Sequence, residues 1–242
     1  MNRTLYDYST HPLLTSSPHD CVPSIEFSNN LCAFPSLVCA HVPFPLLPEC
    51  IKSDSSSCPI VYVCRDPKDV FVSLWHFTNK VRVKELPPLG IEEAFDLFCR
   101  GISPFGSYWD HVLAYWNASV LMPNKVLFLR YEDMKAQPIA ILKRLGEFIG
   151  CAFSYDEEND GVIQKIVDFC SFDNLTSFQV NQTPTQRTTM SGTNMANNMF
   201  FRKGKVGDYK NYMTQEMIMR LKEITEMSFK GSGLQLWSDA DA

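Results

Sequence analysis

The chain has 242 residues, about 1.6 typical domain lengths, which fits one large domain and excludes a mini-protein that needs disulfide or metal staples. With 45% hydrophobic and 20% charged residues it has the composition of an ordinary globular protein, not of a disordered, collagenous or coiled-coil chain. The formal net charge of −5 gives no overall field that would gather nucleic acid or an anionic membrane, so any anion site must be local.

The nine cysteines are an odd number, lack CxxC spacing and fall largely in apolar runs such as CPIVYVC. They read as reduced, buried thiols of a cytoplasmic protein, and no spacing of ligand types predicts a metal site. The N-terminal stretch has no apolar core of a secretory signal, and no apolar run approaches the roughly 18 residues of a membrane helix.

The first 57 residues are rich in Pro, Ser and His and read as loops around one short strand near Ser36–Ala40. From Pro59 the pattern sharpens. IVYVC (60–64) is a continuous β-branched and aromatic run, as expected of a fully buried parallel strand. Asp66 is placed to cap a helix with Pro67 at its first position, and VFVSLWHF carries an apolar face onward. Two further helices are predicted near Ile91–Gly101 and Gly106–Ser119. VLFLRYEDM (126–134) repeats the grammar: a buried strand ending at Arg130 and Tyr131, an acidic pair, then an amphipathic helix in PIAILKRLGEFIG closed by Gly150. Another helix is predicted over about Glu157–Phe169. The segment 173–213 is long, polar and weakly patterned, the signature of a functional loop or lid, and a last helix spans roughly Gln215–Phe229. Strands alternating with helices predict an α/β fold, a parallel central sheet with flanking helices in one domain over 1–242, with ligands bound at the carboxyl ends of the strands.

Arg65 and Tyr131 sit at those ends. Arg65 also stands at a helix start, where free amides and the dipole favour an anion that its guanidinium can grip, and Ser73 lies two turns on with a further donor. The competing reading is that Arg65 pairs with Asp66 or Asp69 and that Ser73 merely packs. Downstream, FFRKGKVGDYKN sets Arg202, Lys203 and Lys205 beside Gly204 and Gly207, which makes either a second anion cradle or a solvated basic turn. His41, after a short strand and before a proline-stiffened turn, has the chemistry of a general base toward a hydroxyl; a structural histidine is the alternative. His111, among aromatic residues, suits core packing or substrate lining.

The segments HVPFPLLPE, IVYVCRDPKDVFVSLWHF, FGSYWDHVLAYW, VLFLRYEDMK and FFRKGKVGDYKN, in this order, resemble the cytosolic sulfotransferases, the plant members in particular, from about Asn2 to Trp237. The resemblance implies a P-loop-like sulfotransferase fold. It also implies transfer of a sulfonate group from 3′-phosphoadenosine 5′-phosphosulfate (PAPS) to a hydroxyl of a small organic acceptor, without a metal. By the same resemblance His41 is the base, and Arg65 and Ser73 hold the donor's 3′-phosphate together with Arg202, Lys203 and the backbone of Gly204. Tyr131 and Cys170 contact adenine, and Phe172 stacks on it. Phe44, Trp75, Phe77, His111 and Tyr115 fall where acceptor pockets are lined. Nothing here resembles the family's N-terminal phosphosulfate-binding loop, so the chain reads as N-terminally truncated, without that loop, its strand and its helix. Cys39 stands where animal members tend to have a lysine. The expectation is a sulfotransferase impaired by these departures, the alternative a non-catalytic nucleotide-binding remnant or an interaction partner of a full-length relative. KNYMTQEM only partly resembles the short dimer motif of animal members, which leaves the oligomeric state open.

Overall fold

The computed structural model describes residues 40–53, 56–82, 85–182, 186–188 and 194–237. The strand expected at 36–40 lies, up to residue 39, outside the described residues, as do Cys21, Cys32 and Cys39.

A helical turn at Phe44–Leu46 and a short helix α1 (Glu49–Lys52) lead into strand β1 (Ile60–Cys64). Helix α2 (Pro67–Val81) begins as its residues dictate: the Asp66 carboxylate accepts from the Lys68 amide at 2.8 Å, and Pro67 occupies a position where no amide is needed. Helices α3 (Ile91–Cys99) and α4 (Tyr108–Leu121) follow, then strand β2 (Val126–Arg130). The acidic pair after β2 lies within a short helix α5 (Tyr131–Ala136) of its own, and α6 (Pro138–Phe148) ends before Gly150 at φ +76°. The single helix expected over 157–169 is two, α7 (Tyr155–Asn159) and α8 (Val162–Phe169). The chain reverses between them at Gly161, whose φ of +69° is left-handed.

The polar segment after 172 has more structure than its composition predicts. It contains α9 (Phe172–Ser177), α10 (Gln179–Gln182), an antiparallel pair β3 (Gln186–Thr188) and β4 (Asn194–Ala196), and helical turns at Asn197–Phe200 and Asp208–Asn211. Local side-chain bonds supply what an apolar face does not: the Ser171 hydroxyl caps α9 at the Asn174 amide, and Asn174 and Asn181 donate to the carbonyls of Phe169 and Leu175. The last helix, α11, spans Gln215–Phe229 and is capped by Thr214.

Strands β1 and β2 pair in parallel, from Ile60 beside Val126 to Cys64 beside Arg130. Helix α4 packs on β2, and α11 packs on α2, α3 and α4. The core between these elements is built from Phe71, Val72, Phe95, Phe98, Trp109, Val112 and Leu221. The expectation of a fully buried β1 fails: Val61 and Val63 are 38% and 47% exposed, so only the Tyr62 and Cys64 face is covered. The expectation of buried thiols also fails: of the six described cysteines, all free, only Cys64 is buried.

One buried polar pair fixes α11 on α4. The Trp109 indole donates to the Thr225 hydroxyl at 2.9 Å, and that hydroxyl donates to the Leu221 carbonyl at 2.7 Å. Thr225→Val keeps the volume and strands the indole N–H. We expect a loss of about 1–3 kcal/mol in urea unfolding, seen as a lower midpoint with an unchanged slope.

Candidate functional site

The register of the parallel pair builds the first wall of the site. Since Cys64 lies beside Arg130, the next residues out of the strands are neighbours, and the Arg65 guanidinium lies over the Tyr131 ring at 4.8 Å. One residue further, the Asp66 amide donates to the Glu132 carboxylate at 2.9 Å. Asp66 also accepts from the Trp237 indole at 2.9 Å, and Lys68 lies between the rings of Tyr209 and Trp237. Burial pushes the Asp66 carboxyl up and the Lys68 charge opposes it. The segment ending at Trp237 is thus tied to the start of α2.

The second wall is the basic turn, 202–209. Arg65 Nη2 donates to the Lys205 carbonyl at 2.8 Å and pairs with Asp69 at 3.1 Å. Asp69, completely buried, also accepts from the amides of Gly207 at 2.7 Å and Tyr209 at 3.0 Å. Arg202 pairs with Asp208. Burial works to raise the Asp208 carboxyl, but the bonds from Arg202 and Asn211 outweigh it and hold it below its ordinary value. Gly204, at φ +62°, lies against Phe172 so closely that an added Cβ would stand 2.3 Å from the ring. Phe172 in turn meets Phe201 edge-on at 5.8 Å. Arg65, Asp69, Tyr131, Phe172, Gly204 and the turn therefore form one cluster.

Among the described residues three buried side-chain nitrogens lack a hydrogen-bond partner, Arg65 Nε, His76 Nε2 and Arg130 Nε. Buried polar groups are normally satisfied, so the unpaired Arg65 N–H beside a cationic turn fits an anion. Ser73 lies one turn beyond Asp69 and one before His76, on the stripe of α2 that faces the turn. Burial and the Arg202 charge both hold His76 below its ordinary pKa.

The third wall carries His41, whose ring stacks on Phe105 at 4.6 Å. His41 is exposed overall, and partial desolvation lowers its pKa from the ordinary histidine value, which favours the neutral imidazole. Helix α4 connects this wall to the first. Its Tyr108 hydroxyl donates to the Arg65 carbonyl at 2.7 Å, and one turn on, His111 Nε2 lies 3.3 Å from the His41 carbonyl.

Residues 2–233 match the family described as the sulfotransferase domain. The chain belongs to the sulfotransferase family. It is 45% identical to cytosolic sulfotransferase 17 of Arabidopsis thaliana over 96% of this chain and 68% of that one. It is 41% identical to the flavonol 4′-sulfotransferase of Flaveria chlorifolia over 98% of this chain and 74% of that one. Among solved structures, a mouse sulfotransferase complexed with PAP superimposes with a TM-score of 0.67 at 28% identity, covering 84% of this chain and 69% of that one. A putative steroid sulphotransferase of Arabidopsis thaliana gives 0.59 at 35% identity, covering 96% and 67%.

Within this sulfotransferase fold, the residues read from the sequence are not all in one place. Arg65, Tyr131, Phe172, Gly204 and the backbone of Lys205 meet. Arg202 is committed to Asp208, Lys203 is exposed, and Cys170 is exposed at the end of α8. The pairing of Arg65 with Asp69, the less functional of the two sequence readings, is present alongside the contacts to the turn. Of the expected acceptor-lining residues, Phe44, His111 and Tyr115 gather near His41. Trp75 instead donates to the Leu89 carbonyl, and Phe77 packs on Phe200. The role of Asp69 in tying down the turn was missed. Its i,i+4 spacing from Arg65 was the available signal, but nothing local pairs it with amides nearly 140 residues away.

The close approach at Gly204 yields a prediction. Gly204→Ala must displace the root of the Phe172 ring and hold a positive φ, and we expect a loss of about 1–3 kcal/mol. In a double-mutant cycle, Phe172→Ala should recover part of that loss; strict additivity of the two would show that the ring does not press on the turn.

Proposed function

We propose that this sulfotransferase uses PAPS as donor and a small hydroxylated molecule as acceptor, with the nucleotide's 3′-phosphate end held between the start of α2 and the basic turn. The carrying observation is the Arg65 guanidinium at that helix start. Its Nη2 is fixed by Asp69 and the Lys205 carbonyl, and its buried Nε is left without a partner. A donor already oriented in this way binds an anion without reorganising. Ser73 adds a hydroxyl, Arg202, Lys203 and the Gly204 backbone close the phosphate from the turn, and Tyr131, Cys170 and Phe172 take the adenine end. The names of the relatives and the PAP complex among similar structures support this reading.

When bound, the donor supplies an activated sulfonate group. Toward the acceptor, His41 accepts the hydroxyl proton at its imidazole, whose neutral form partial desolvation favours. Phe44, His111 and Tyr115 line the side from which an apolar, hydroxylated acceptor enters, and the protein acts in the cytosol. Taken by themselves, these 242 residues carry the cations of the 3′-phosphate end, and we expect nucleotide binding to be better preserved than turnover. The alternative, a non-catalytic nucleotide-binding protein or partner of a full-length relative, is rejected if labelled sulfonate passes from PAPS to any member of a flavonol and steroid alcohol panel.

Two measurements test this reading. In calorimetry, adenosine 3′,5′-bisphosphate should bind, and Ser73→Ala and Arg65→Ala should each weaken it, the arginine change by roughly 10- to 100-fold, as expected for a charged hydrogen bond. Because Arg65→Ala leaves Asp69 buried without its partner, Ser73→Ala is the variant that keeps the fold; no binding by the unaltered chain at millimolar nucleotide overturns the proposal. For transfer, the neutral imidazole is the active form, and burial disfavours its cation. The rate should therefore fall toward acid with a midpoint below the ordinary histidine value of 6.5. His41→Ala should abolish transfer and leave nucleotide affinity unchanged.

A further inference from the structure

Two consecutive peptide carbonyls, those of His41 and Val42, are held by one face of α4. His111 Nε2 lies 3.3 Å from the first, and the Tyr115 hydroxyl donates to the second at 2.7 Å. The two side chains are four residues apart and so stand one above the other on the helix. Behind both lies Tyr62 of β1. Its ring stacks on Tyr115 with centroids 4.1 Å apart and planes 9° apart, and its hydroxyl is 3.0 Å from His111 Nδ1.

We propose that His111, with its Nε2 proton directed at the His41 carbonyl and its Nδ1 lone pair filled by the Tyr62 hydroxyl, is a positioning residue for His41: it anchors the peptide from which the His41 imidazole is presented and is not itself the base. This rests on the reading of His41 as the base.

The direction of each bond follows from the chemistry of its atoms. A carbonyl only accepts, so the nitrogen facing His41 must carry the hydrogen. Nδ1 of a neutral ring then offers a lone pair, which the Tyr62 O–H fills. Burial raises the Tyr62 phenol far above its ordinary value, so it remains a donor. Burial also lowers His111, and the neighbouring His41 adds to this against the bond to the His41 carbonyl. The His41 ring itself rests on Phe105, so peptide and imidazole are held by separate contacts. With His111 gone, the 41–42 segment keeps Tyr115 as its anchor from α4, and the imidazole can swing about it. A displacement of about 1 Å at a reacting group costs up to roughly 10²-fold in rate.

The test has an arm that needs no turnover. In 15N-histidine NMR of the 242-residue chain at pH 7.5, the resonances lost in His111→Gln should show a neutral ring protonated on Nε2. A proton on Nδ1 overturns the proposal. In the transfer assay, His111→Ala should lower kcat by about 10-fold or more with the KM for PAPS little changed. His111→Gln, whose amide N–H reaches the Nε2 position, should recover most of the loss; equal loss in both variants overturns the positioning role. The two readings fail separately. Transfer by the wild-type chain that His111→Ala leaves intact removes the positioning role and keeps His41 as base. The expected tautomer in a chain whose transfer survives His41→Ala removes His41 as base and keeps the anchored peptide.

Discussion

A single carboxylate holds the site together. Asp69 lies in the first turn of α2 with no exposed surface, and a charge so placed is tolerated only when it is paired and fully hydrogen-bonded. Its partners come from both ends of the chain: Arg65 from the preceding turn, and the amides of Gly207 and Tyr209 from the far side of the sequence. Neither set suffices by itself, since the guanidinium neutralises the charge and the amides fill the remaining lone pairs. The basic turn is therefore part of what allows α2 to begin as it does. Its cations sit beside the strand ends because Asp69 requires the backbone of that turn to be there.

The same logic bears on the cations. Arg65 pairs with Asp69 and Arg202 with Asp208, which at first sight leaves little charge for a ligand. Yet with Asp66 and Glu132 counted beside Asp69 and Asp208, the five cations Arg65, Lys68, Arg202, Lys203 and Lys205 still outnumber the four carboxylates by one. The carboxylates also fix the forks in direction. A guanidinium held on one edge offers its other edge without loss of rotamer freedom, and pre-set donors of this kind are worth more to a bound anion than free lysines.

The sequence made the repeating elements plain and hid the pairings. IVYVC and VLFLR were readable as parallel strands because β-branched and aromatic runs between turn signals have few other uses, and Asp66–Pro67 marked a helix start by capping chemistry alone. Three features were not readable. The helix expected over 157–169 ran through Gly161, and only the left-handed backbone there shows that it separates two. Residues 172–182 form helices without an apolar stripe, through Ser and Asn bonds that periodicity does not register. The exposure of Val61 and Val63 depends on what packs over β1, which its own residues do not encode. For the site, motif resemblance brought Arg65, Tyr131, Phe172 and Gly204 onto one page, and the tie through Asp69 is tertiary. His41 and His111 were each visible as isolated histidines; that one faces the carbonyl of the other is a matter of how α4 crosses the strand ends.

The two halves of the site differ in electrostatics, and that difference has a use. The His41 ring stacks on Phe105 and desolvation alone lowers its pKa, whereas His76 feels Arg202 and Lys203. Helix α4 joins the halves through Tyr108 at the Arg65 carbonyl and His111 at the His41 carbonyl, with uncharged groups throughout. A base placed among the cations would lose basicity with each of them and regain it as an anion arrived, so its proton affinity would follow nucleotide occupancy. Stacked on Phe105 and apart from those cations, the imidazole keeps a proton affinity set by its own surroundings. The geometry thus separates holding a charged molecule from removing a proton, and the rigidity of one helix keeps the two in register.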